Sequence, residues 1–151
     1  MKYQLAQINI ARAVAEMDSE EMSGFVTRLD EINNLADQSP GFVWRLQSEE
    51  GDATAIREFD DPLILVNMSV WQNVESLKDF VYKSLHVELI RDRDAWFSKM
   101  ASVHQALWWV SEGHQPTIEE GKAKLELLDL QGPNPQVFTF ARAFPTPSLN
   151  P

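Results

Sequence analysis

Between Pro62 and Gln72 the chain reads PLILVNMSVWQ, and its two alternating sets of side chains differ in kind: Ile64, Val66, Met68 and Val70 against Leu65, Asn67, Ser69 and Trp71. A period of two over a run this long is the pattern of a β-strand. A slip of one residue would exchange the two faces, so the register of this strand is fixed by its own sequence. One face is apolar and belongs in a core. The other mixes an amide, a hydroxyl and an indole, and amides cost a few kcal/mol to bury unless they are hydrogen-bonded.

The same period returns at the start of the chain, where Gln4, Ala6, Ile8 and Ile10 alternate with Tyr3, Leu5, Gln7 and Asn9. Shorter strands are predicted at Phe42 to Gln47, Gln105 to Ser111 and Val137 to Phe144, with a polar connection carrying a weak strand after Gln47. Helical spacing links Met22, Phe25, Val26, Leu29, Ile32 and Ala36, opened by a capping box at Asp18 and Glu21 and stopped before Ser39-Pro40-Gly41. A second helix carries Val74, Leu77, Val81 and Leu85, and a further helical run carries Ile90, Phe97 and Met100. Thr117 and Glu120 form another capping box, whose helix ends at Gly132-Pro133.

This order, β-α-β-β-α-β with an added helix and strand, is the split-βαβ ferredoxin-like arrangement. Helices are expected on one sheet face, against Ile8, Ile10, Val66, Met68, Val70 and Val110. The opposite face then collects Gln7, Asn9, Asn67, Ser69, Trp71, Gln105 and Trp109, a combination suited to a ligand cavity. Residues 1–144 form one domain in this reading, and the proline-rich residues 145–151 a loose tail.

Composition narrows the function. A net charge of -10 opposes both the phosphate backbone of nucleic acid and an anionic membrane surface, so neither is an expected partner. The chain has no cysteine, which removes disulfides and thiolate chemistry together. Its first residues lack the apolar segment of a signal peptide, and no apolar run reaches the roughly 20 residues of a membrane span; the expectation is a cytoplasmic protein.

The stretches VNMSVWQNVESLKDFVYKSLH, RDRDAWF, LWWVSEGHQPT and GPNPQVFTFARAF resemble those of the bacterial domain-of-unknown-function family 3291. That family is grouped with the dimeric α+β barrels, which include antibiotic-biosynthesis monooxygenases and haem-degrading monooxygenases. The resemblance implies an α+β fold with a ferredoxin-like antiparallel sheet, an extra C-terminal helix and strand, and a homodimer. It further implies a cofactor-independent monooxygenase acting on a small aromatic or polyketide-like substrate. Haem binding or degradation is one alternative, and a non-catalytic dimeric small-molecule-binding or interaction module is another.

By resemblance to the haem enzymes, Asn9, Trp71 and His86 match an asparagine on the first strand, a tryptophan ending the long strand and an axial histidine. In the cofactor-independent chemistry the same three become catalytic candidates, with Asn67, Arg93 and Trp109 binding substrate; no cofactor is expected there. His86 ranks first among the histidines because imidazole titrates near neutrality. An unbroken helix from it would align His86, Ile90, Arg93 and Phe97. Each candidate also has a structural reading. Indoles close small cores, and neighbouring Trp108 and Trp109 must face opposite sides of a strand, leaving Trp109 alone toward the cavity. His104 reads as a boundary residue and His114 as part of a turn at a helix N-terminus. Arg93 belongs to an alternating-charge run normal for a solvated surface, and Arg45 ranks beside it as an anion clamp.

Overall fold

The computed structural model describes residues 2–15, 19–20, 22–46, 64–83, 97–98 and 104–146. Five strands and three helices lie within them. The strands are β1 (Tyr3–Ala13), β2 (Phe42–Arg45), β3 (Ile64–Trp71), β4 (Phe97–Ser98) and β5 (Gln105–Ser111). The helices are α1 (Ser23–Gln38), α2 (Val74–Lys83) and α3 (Ile118–Gln131). All pairings are antiparallel: β3 lies along one edge of β1 and β2 along the far edge of β3, while β5 and β4 share the other edge of β1. β1 and β2 are thus joined through α1 yet separated by β3, which is the split βαβ expected from the order of elements.

Local chemistry sets most boundaries. α1 stops at Gln38, where Ser39 turns extended (φ -76°, ψ 142°) ahead of Pro40. Gly41 then adopts φ 84°, and a Cβ there would run into the side chain of Ser76. Its carbonyl accepts from Gln72 N at 2.7 Å, tying the α1–β2 turn to the start of α2. Asn73 Oδ1 accepts from Ser76 N at 2.8 Å and caps α2. Thr117 Oγ1 accepts from Glu120 N at 3.1 Å, the expected cap of α3, which ends at Gly132 with φ 74°.

Several expectations are corrected. α1 begins at Ser23 with Met22 as a cap residue that makes no side-chain bond, while the capping box expected at Asp18 and Glu21 lies outside the described residues. Phe97 pairs with Ala13 in the β1–β4 ladder and is not on a helix, so it cannot share a helical face with His86; backbone pairing overrides the spacing with Ile90. The final strand contracts to a bridge of Phe138 with Leu107, because a turn at Thr139, whose carbonyl accepts from Arg142 N at 3.2 Å, diverts the chain.

Helices cover both faces rather than one. Ala6, Ile8, Ile10, Val66, Met68, Val70, Ala106, Trp108 and Val110 form one core, closed by Leu125 and Leu128 of α3 and by Val137. On the opposite face Leu5, Trp71 and Leu107 pack with Ala36 of α1, Leu77 of α2 and Phe138. Ala13 joins Met22 and Ile32 at the far end of that same face. α1 and α2 can sit over the polar-aromatic face because its two ends are apolar; a fully buried leucine or tryptophan there contributes on the order of 1.5–3 kcal/mol. α3 approaches the sheet closely at Gly121, where a Cβ would lie 2.6 Å from Ile8 Cδ1.

Candidate functional site

The register arranges the polar-aromatic face in three rows. Trp71, Leu5 and Trp109 stand side by side in the first, Arg45, Ser69, Gln7 and Leu107 in the second, and Asn67, Asn9 and Gln105 in the third. The first row is closed. Trp71 is 1% exposed, edge-on to Phe42 at 5.4 Å and stacked on Phe80 of α2 at 5.3 Å. Trp109 is half-buried, with its ring centroid 6.1 Å from that of Phe138. Both indole N–H groups are used within the fold: Trp71 Nε1 donates to Ser69 Oγ at 2.8 Å, and Trp109 Nε1 to the Phe144 carbonyl at 3.0 Å. Trp108, on the opposite face, is buried against α3 and donates to Glu120 Oε2 at 2.8 Å.

The second and third rows carry the hydrogen-bonding groups. Gln7, only 3% exposed, donates from Nε2 to Asn67 Oδ1 at 2.6 Å and to Ser69 Oγ at 2.9 Å. Asn9 stands directly opposite Asn67 and Gln105. Asn9 and Gln105 are half-buried and Asn67 is exposed, and among the described residues neither Asn9 nor Gln105 makes a side-chain hydrogen bond. The polar rows therefore lie between two apolar clusters on one face, and Phe80 packs against both. Polar groups with spare capacity, flanked by aromatic surface, are the ordinary make-up of a small-molecule site.

Of the six candidates, Asn9 and Asn67 are brought into direct register, and Trp71 and Trp109 flank Leu5 one end of the sheet away. His86 and Arg93 lie outside the described residues. Arg45 does share this face, but Asp37 of α1 takes its guanidinium in a two-point contact, Nε to Oδ1 at 2.8 Å and Nη2 to Oδ2 at 3.4 Å. His104 has the parity of the apolar face, and His114 Nε2 lies 2.7 Å from Glu120 Oε1. No described histidine thus faces the polar rows. Among the described residues there is no group of three or more His, Asp or Glu side chains placed to hold a metal ion.

The alternation of β1 and β3 puts Gln7 and Ser69 on this face but by itself gives neither a role. Their parity with Asn9 and Asn67 was the available signal; that they join Asn67 into one network depends on pairing across 60 residues and more.

Sheet order and face assignment define an α+β protein built on a ferredoxin-like antiparallel sheet. SnoaB of Streptomyces nogalater, a cofactor-independent oxygenase, superimposes with a TM-score of 0.50 at 14% identity over 76% of this chain and 98% of its own. PA3566 of Pseudomonas aeruginosa gives 0.50 at 10% identity, covering 76% and 98%. A candidate antibiotic biosynthesis monooxygenase of Nitrosomonas europaea gives 0.50 at 11%, covering 78% and 97%. These likenesses establish the fold. No curated protein matches the chain in sequence. The chain belongs to the family described as Domain of unknown function (DUF3291), whose model matches residues 4–151.

Proposed function

We propose that this protein is a cofactor-independent monooxygenase that takes a small aromatic or polyketide-like substrate onto the polar rows between α1, α2 and the sheet. The observation that carries this reading is the pairing of Asn9 and Asn67 in register on a face walled by Trp71, Phe80 and Trp109. Neutral donors beside aromatic surface stabilise the oxygen anion of a phenol or anthrone while keeping water away. Such an anion reacts with dioxygen without a further reductant. A ring CH2 becomes a carbonyl, one oxygen atom entering the product and the other leaving as water with the two hydrogens. His86 is the proposed base for the first deprotonation, Arg93 a substrate contact, and the working unit a homodimer. Oxygen uptake with anthrone, lost in Asn9→Ala and Asn67→Ala, is the expected result; uptake equal in wild type and both variants refutes the assignment.

A second reading, a non-catalytic module that binds the same class of molecule, is favoured by the two indole N–H groups being spent inside the fold. It predicts ligand binding with no oxygen consumed.

A further inference from the structure

Gln7 occupies an unusual position in the polar rows. It is the most buried of their hydrogen-bonding side chains, and a single amide nitrogen serves two neighbours, Asn67 Oδ1 at 2.6 Å and Ser69 Oγ at 2.9 Å. The amide has two N–H bonds and both are committed. Asn67 must then turn its oxygen toward Gln7 and its Nδ2 away, toward whatever lies over the sheet. Ser69 Oγ receives N–H groups from Gln7 and from Trp71, at 2.9 and 2.8 Å, so both of its lone pairs are taken. What Ser69 has left is its hydroxyl hydrogen, and among the described residues neither that hydrogen nor Asn67 Nδ2 has a partner. The inverse arrangement, with the Gln7 oxygen toward both neighbours, would strand two N–H groups in a residue 3% exposed, and buried N–H groups without acceptors are rarer than under-used carbonyls.

We infer that Gln7 is a positioning residue that fixes the polarity of this face, so that Asn67 and Ser69 offer hydrogens and the site selects a ligand through an oxygen that accepts them. The inference rests on the ligand site proposed above and deepens it. The ligand class is an enolate, phenolate or conjugated carbonyl, in preference to an alcohol or ammonium group that must donate. The low-dielectric setting of Gln7 and Trp71 strengthens each of these bonds relative to water.

The test uses p-nitrophenol, whose ionised form absorbs visible light, titrated in the presence of the full-length protein. With wild type the bound probe should ionise at lower pH than the free probe, by about one unit, equivalent to a preference of about tenfold for the phenolate. Gln7→Glu removes the donating nitrogen and should abolish that fall. Because a carboxylate at a buried position can impair folding, Asn67→Asp supplies the second arm: Asn67 is exposed, an aspartate still accepts from Gln7, and the outward N–H gives way to an anionic oxygen that repels a phenolate. It too should abolish the fall. A Gln7 that served structure alone would lower the melting temperature and leave the ionisation midpoint of the bound probe where wild type has it. An unshifted or raised midpoint in wild type, or a fall retained in Asn67→Asp, overturns the inference while the ligand site stands. Failure of wild type to bind either form of the probe removes the site itself.

Discussion

The indole nitrogen of Trp108 lies 2.8 Å from Glu120 Oε2, and the other oxygen of that carboxylate lies 2.7 Å from His114 Nε2. One side chain of the first turn of α3 thus joins a buried strand residue to an exposed loop residue. Glu120→Ala should leave the indole N–H of Trp108 buried without an acceptor and destabilise the fold by about 1–3 kcal/mol. Glu120→Gln keeps an acceptor and should lose less. Urea unfolding followed by tryptophan fluorescence measures both; equal stability of wild type and Glu120→Ala would show that the bond contributes nothing.

Gly121 follows immediately, where α3 comes down on Ile8 and Met68. A Cβ would lie 2.6 Å from Ile8 Cδ1 and 3.2 Å from Met68 Sδ. Gly121→Val should cost about 1–3 kcal/mol by overpacking. Gly121→Ala sets a smaller clash, which the tip of the Ile8 side chain can relieve, against a helix-propensity gain of about 1 kcal/mol, and should fall well below the valine variant. Thermal unfolding of the pair reads the difference, and a valine variant as stable as wild type would place α3 farther from the sheet.

Trp71 and Asn9 share a face but should separate cleanly in experiment. Trp71→Phe removes a buried donor to Ser69 and should destabilise by about 1–3 kcal/mol. Asn9→Ala breaks no side-chain bond among the described residues and should change stability by less than about 1 kcal/mol while weakening ligand binding. Denaturation midpoints together with thermal-shift titration of phenolic ligands test this. A stable Trp71→Phe alongside a strongly destabilised Asn9→Ala would reverse the assignment of core and site.

At the α1–β2 turn, Gly41 combines a positive φ with a side chain of Ser76 in the space a Cβ would fill. Gly41→Ala should destabilise by about 1–3 kcal/mol. Adding Ser76→Gly should restore the steric part and leave the backbone part, so the double variant is expected between wild type and the single one by calorimetry. A double variant no better than Gly41→Ala would assign the whole effect to backbone conformation.

Much of this architecture is legible in residues close together in sequence. The strands around Asn67 and Trp109, the stop at Ser39-Pro40, the Thr117 cap and the Gly132 terminus all follow from periodicity and capping, interactions made within a few residues. The opposite facing of Trp108 and Trp109 follows as directly, since neighbouring strand residues cannot share a side.

Which element covers which face was settled only in three dimensions. Sequence period shows that Met68 and Asn67 point apart, but not that α3 takes the first and leaves α1 and α2 to the second, nor that Phe97 joins β1 instead of a helix. The polarity of the candidate site has the same origin. Parity puts Gln7, Asn67, Ser69 and Trp71 on one surface; only the β1–β3 register brings one amide nitrogen within hydrogen-bond distance of two acceptors and so decides which groups remain for a ligand. Local pattern determines faces, because it is read along one strand. Partners across the sheet and above it belong to the tertiary structure, because they are chosen by packing between segments far apart in the chain.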